Sequence, residues 1–217
     1  MAKSSEDALQ GLRDLLESLK ERCAELGASI QTWDHYALVF NNASHIQRGH
    51  PFFSWLQNNY ADATTLRVRR LLDKGRNAQS LPNLFRRLRA HQRLLTRTMH
   101  LEFYTDPDFE PHGQATFDAL AGVGVDCYPL SRIDELEAEL SKVPKVLRTY
   151  ADKRVAHFEE KKRPTVPTFN DLRSSFDALE GVLHELNLLL NAVEVPSLIP
   201  TLQFDFDEIF TEPWVRP

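Results

Sequence analysis

Within the stretch Tyr150–Glu159, YADKRVAHFE, three side chains that can do chemistry follow at short spacing: Asp152, Arg154 and His157. Histidine is the side chain whose unperturbed pKa lies near neutrality, so His157 is suited to take a proton from a hydroxyl at physiological pH. Arg154 precedes it by three residues, which on an α-helix puts both on one face, within reach of one phosphate. Asp152 adds a carboxylate that can orient an imidazole. Together they mark a candidate site, a proton acceptor and a cation on one helix face with a carboxylate nearby. The same groups can instead form a buried or interfacial polar network that sets helix register and does no chemistry.

The element that must position them is helical. From Ser131 onward Ile133, Leu136, Leu140, Val143, Leu147 and Tyr150 recur at alternating three- and four-residue steps, and the count then lands on Arg154 and His157. Such a seam packs against other helices, so charged groups at its end need partners. Pro144 is expected to kink or split this helix, and Pro164 and Pro167 to end it. Thr168 with Asp171 then caps a last long helix, whose Phe169, Leu172, Phe176, Leu179, Leu183, Leu186, Leu190 and Val193 make it the expected central partner of the signature helix.

Upstream, Leu9, Leu12, Leu16, Leu19, Cys23 and Leu26 mark a first helix starting near Ser4, with Ser4 and Asp7 at capping-box spacing, and Trp33, Tyr36 and Phe40 mark a second. A third runs from Phe52 to Lys74. Ser80 is expected to cap a fourth that reaches about Arg97. The segment TDPDFEPHG predicts a loop, Gln114–Ala121 a short helix, and GVGVDCYP a short strand or buried connection; Ser131 and Asp134 should cap the helix that follows.

Charge is distributed unevenly. Between Arg67 and Arg97 ten basic residues face a single acid, Asp73, a local charge of +9 that leaves −14 elsewhere for the net of −5. On one helix Arg86, Arg89, Arg93 and Arg97 would form a single-sign ridge opposite Leu84, Leu88 and Leu95, a surface able to track phosphates or simply to be solvated. No run of interleaved aromatics accompanies the arginines, so base stacking is not indicated.

At 217 residues and 42% hydrophobic, with 8 glycines and hardly any alternating β-branched runs, the chain should form one mainly α domain. Cys23 and Cys127 make neither a disulfide framework nor a metal pattern, and Cys23 falls on an apolar stripe. Metal-ligand spacings, phosphate-cradling glycine loops and dinucleotide fingerprints are missing, so no metal and no cofactor is expected. The start lacks a secretion-signal layout and no apolar run is long enough for a membrane span, which points to a soluble cytoplasmic protein.

The helical hairpin carrying D-K-x-x-A-H (Asp152 to His157), with RLLDK (Arg70 to Lys74) and a Ser-Leu-led helix upstream, resembles the HEPN superfamily and, more narrowly, its AbiU-type branch, associated with abortive infection of phage-infected bacteria. The resemblance spans Trp33 to Val193 in element order. It implies a helical bundle of about six to eight helices with a long antiparallel hairpin carrying the motif, paired as a homodimer through the motif helix. It also implies metal-independent RNA cleavage in active members, whose motif is an arginine, a polar residue and a histidine. In this chain the polar residue falls on Asp152, the histidine on His157, and the arginine position on Ala151. Arg154 is then the candidate replacement, since Arg148 lies on the opposite side of an ideal helix from His157.

The expected organisation is a HEPN-like domain over residues 1–195 and an aromatic, proline-rich tail over 196–217 docked on it. Two functions follow: a ribonuclease of phage defence or of a toxin–antitoxin pair, or a non-catalytic relative that binds nucleic acid or a protein partner such as an antitoxin.

Overall fold

The computed structural model describes residues 2–42, 51–156 and 165–201, with the backbone alone for 2–4, 41–42 and 154–156. The chain is mainly α, a bundle of eight α-helices among the described residues. Helix α1 (Ala2–Asn42) is continuous for 41 residues, about 60 Å at 1.5 Å per residue. The break expected before Trp33 is not there. Leu26 and Ile30 are buried on the stripe that Leu12, Leu16, Leu19 and Cys23 begin, so one apolar face carries the helix through. Ser4 consequently lies inside the helix and not at its cap.

Helix α8 (Phe169–Asn191) lies along α1. Its start is a capping box: the Thr168 hydroxyl accepts from the Asp171 N–H at 3.2 Å, and the Asp171 carboxylate accepts from the Thr168 N–H at 2.7 Å. Leu172, Phe176, Leu179, Leu183, Leu186 and Leu190 are buried as their spacing predicts. Gly27 lets the two helices close in, because a Cβ there would stand 2.8 Å from the Phe176 ring. The sequence expectation made α8 the main partner of the signature helix. Its main partner is α1, and the signature segment rests on α2 (Pro51–Leu71). Trp33 binds these layers together at one end, stacked on Tyr60 of α2 at 4.5 Å and on Phe169 of α8 at 5.0 Å.

Helix α3 (Leu81–Ala90) stops well short of Arg97. Ser80 begins it, but its hydroxyl donates to the Asp73 carbonyl at 2.6 Å and not to the helix end. A 3-10 turn (Gln92–Leu94) and a short helix α4 (Arg97–Leu101) follow. The proline-rich stretch expected as a loop is largely ordered: Pro107–Phe109 is a 3-10 turn and α5 (Glu110–Ala121) starts directly after it, with Pro111 in the first turn, where its missing N–H leaves nothing unpaired. The segment after α5 is a connection with one antiparallel bridge, Thr96 to Cys127, and opens at Gly122, whose φ of 107° suits glycine.

Helix α6 (Leu130–Glu139) begins after Pro129 and has no side-chain cap, since the Asp134 carboxylate takes Arg89 instead. Pro144 does split the seam. A 3-10 turn (Leu140–Lys142) precedes it, and α7 (Lys145–Tyr150) and a π-turn (Ala151–Ala156) come after. Ile133, Leu136, Val143, Leu147 and Tyr150 are buried. At the other end Glu180 holds the chain after α8, accepting from Ser197 Oγ at 2.9 Å and the Leu198 N–H at 2.6 Å, and Leu198 is buried. The tail aromatics Phe204, Phe206, Phe210 and Trp214 lie outside the described residues. No helix among those described is long and apolar enough to cross a membrane.

The core holds one histidine whose protonation burial opposes. His100 of α4 is fully buried, its Nδ1 at 3.2 Å from the Leu189 carbonyl, and burial holds its pKa below the ordinary 6.5. The unfolded chain therefore binds the proton more readily. The increment of stability is present above the unfolded pKa and is lost as pH falls through 6.5 toward the folded value. Thermal melts should lose more between pH 7.5 and pH 5.5, roughly spanning that titration, for the wild type than for His100→Phe; equal losses would contradict a neutral buried His100.

Candidate phosphate-facing site

The site is built where α2 ends against α7 and the π-turn. On α2, Thr65, Val68 and Leu71 are buried and carry the helix onto the bundle, which leaves Arg69 half-buried at the seam with the signature segment. The junction is made by polar contacts at two levels. Tyr150 donates its hydroxyl to Asp62 Oδ1 at 2.7 Å. Two residues on, Asp152 accepts from Arg69 Nε at 2.5 Å, and Arg148 Nε stands 3.9 Å from its other oxygen.

Arg148 and Asp152 are four residues apart, so the α-turn before the π-turn brings them together. Arg148, set aside from the sequence because it lies opposite His157, thus belongs to the same cluster as Asp152. Arg69 was not singled out at all. Its signal in the sequence was only membership of a basic stretch, and nothing in residue spacing tells which of those bases crosses to the signature segment.

Ala151 is fully buried. At this position an arginine is expected from the resemblance, and the space holds only a methyl group. The π-turn bears on Arg154 as well. Its wider i→i+5 turn rotates successive backbone positions less than an α-helix does, so the α-helical count that carried the seam from Tyr150 to Arg154 does not hold there. The Arg154 side chain and the whole of His157 lie outside the described residues.

Beside the cluster runs a groove of about 400 Å³, toward the lower end of the range of small-ligand sites. Val68, Leu72 and Val143 give it an aliphatic floor, while Arg69, Lys74, Lys145 and Arg148 bring positive charge to its walls. Of its acids, Asp152 is held by Arg69, Glu137 by Arg89 and Asp73 by the Gly75 N–H.

The four arginines of the expected ridge separate into two kinds. Arg97 begins α4 and turns inward, donating to Asp118 at 2.5 Å, to Gln114 Oε1 at 3.0 Å and to the Val125 carbonyl at 2.8 Å, with its guanidinium 4.9 Å over the Phe117 ring. It fastens α5 and the following connection to α4. Arg89 bridges α3 to α6 through Asp134 and Glu137. Arg86 and Arg93 are exposed, Arg86 donating to the Arg76 carbonyl at 2.8 Å and to the Asn83 side-chain oxygen. The ridge is therefore not continuous, because the helix that would have aligned it ends at Ala90. Pro82, on the groove wall, and Arg86 are one turn apart on α3, so the exposed part of the basic face borders the groove.

Ala151→Arg should destabilise the fold by about 2 kcal/mol or more in chemical denaturation, from overpacking and an unpaired buried charge. An unchanged denaturation midpoint would show that position 151 can open to solvent.

A sequence model of the HEPN family AbiU2 matches residues 9–211, nearly the whole length. No curated protein and no solved structure matches the chain. The match runs through the basic end of α2, the signature segment and α8 together, the elements that build the cluster just described. The chain is a member of the AbiU2 family of HEPN proteins.

Proposed function

We propose that this HEPN protein acts on RNA as a metal-independent endoribonuclease in a phage-defence or toxin–antitoxin setting, with Asp152, Arg154 and His157 as its reactive groups. The observation that carries the reading is the location of Asp152: it stands between two guanidinium groups at the edge of a basic groove. In the reaction, His157 takes the proton of a ribose 2′-hydroxyl, and the oxygen attacks the adjacent phosphorus. The bond to the 5′-oxygen breaks, that oxygen leaves with a proton, and a 2′,3′-cyclic phosphate remains. Arg154 offsets charge on the phosphate, and Asp152 orients the imidazole across the interface of a homodimer formed by the motif helix. Arg86 and Arg93 extend the contact along the RNA backbone, while Arg89 ties α3 to α6 and Arg97 ties α4 to α5.

Ala151 favours a second reading, a non-catalytic HEPN relative that binds nucleic acid or a protein partner such as an antitoxin. A motif helix without its arginine has lost the group expected on the scissile phosphate.

Incubation of the purified protein with tRNA or mRNA in EDTA separates the two. Cleavage leaving 5′-hydroxyl ends, reduced about 100-fold or more by His157→Ala with the circular dichroism unchanged, supports the enzyme. No cleavage by the wild type leaves the binding reading. In either case Arg86→Glu with Arg93→Glu should weaken RNA binding and flatten its salt dependence, by about one charge per lost phosphate contact; unchanged affinity and slope would remove both arginines from the RNA path.

A further inference from the structure

The Asp152 cluster has the form of an occupied anion seat. Two guanidinium groups from different elements, Arg69 of α2 and Arg148 of α7, approach the two oxygens of one carboxylate at 2.5 and 3.9 Å. Carboxylate and phosphate present oxygen pairs that suit the same guanidinium donors, so whatever seats the one can seat the other. The side chains are accessible, with 38% of Arg69, 42% of Asp152 and 61% of Arg148 exposed. Ion pairs this exposed are weak enough to exchange. The seat opens onto the groove whose aliphatic floor can take a ribose or base and whose rim carries Lys74 and Lys145.

From this we infer that Arg69 and Arg148 form the phosphate seat of the protein and that Asp152 is a built-in carboxylate holding the seat until the phosphate of a ribonucleotide unit displaces it. The cation that the motif helix lacks at Ala151 then arrives from α2. Displacement also frees Asp152 from its arginines, so that phosphate binding and release of the imidazole-orienting carboxylate become one event. Only that last coupling rests on the RNA-cleavage reading.

The test is equilibrium binding, followed by fluorescence anisotropy, of labelled AMP and of a labelled single-stranded RNA oligonucleotide to the full chain. Asp152→Asn removes the competing charge and should tighten binding about threefold. Arg69→Gln should weaken it about tenfold or more, and Arg148→Gln less. A gain in Asp152→Asn cannot arise from a damaged fold, which guards against misreading the losses. AMP binding as tightly as the oligonucleotide identifies a free nucleotide as the ligand, and binding of the oligonucleotide alone identifies a backbone phosphate; both support the seat. It is overturned if Asp152→Asn leaves affinity unchanged or lowers it, if Arg69→Gln has no effect, or if neither wild type nor Asp152→Asn binds either probe. An inactive wild type that shows these affinity changes would remove the cleavage reading and leave the seat, whereas His157-dependent cleavage without them would do the reverse.

Discussion

The signature segment lies against α2 around a fully buried alanine flanked by two polar contacts to that helix. Ala151 is fully buried between Tyr150, which reaches Asp62 on α2, and Asp152, which reaches Arg69 on the same helix. An arginine in this place would hold the two elements apart or bury an unpaired charge. The small side chain and the two cross-helix polar contacts form one arrangement. It fixes the height at which Asp152 meets Arg69 and the line along which the groove opens.

Around that junction the bundle provides stiffness. The long α1 and the capped α8 run side by side with their apolar stripes buried, and Trp33 ties both to α2 through stacked rings. Arg89 and Arg97 do comparable work elsewhere, each joining helices through carboxylates contributed by distant segments. The basic stretch thus divides its labour. Arg67, Arg69, Arg89 and Arg97 meet acids from outside it, while Arg86 and Arg93 remain at the surface. A charge of +9 along the chain does not become a field of that strength in space.

The helices were legible to the extent that packing follows local periodicity. The stripes of α1 and α8, the Thr168 and Asp171 cap, and the break at Pro144 all depend on residues within a turn or two of each other, and the structure has them. Errors came where local signals competed with contacts from afar. The stripe ending at Leu26 and the aromatics from Trp33 suggest two helices, yet one runs through, with Gly27 admitting Phe176. The prolines at 107 and 111 suggest a loop, yet each sits in a first turn where it is tolerated. The leucine spacing through Arg97 suggests one helix, yet the chain turns at His91 so that Arg97 can close on Asp118.

Sequence by itself determined that this protein is a helical bundle, that Asp152 belongs to a chemically unusual segment, and that the expected arginine is missing at position 151. Those properties are written in side-chain type and short-range spacing. Only tertiary structure decided that Arg69 faces Asp152, that Arg148 joins it, and that half of the supposed ridge, Arg89 and Arg97, is committed to internal ion pairs. Arg69 and Asp152 are 83 residues apart in the chain, and which charges meet over such distances depends on how whole helices dock. That is set by the shape of the buried faces and not by the charges themselves.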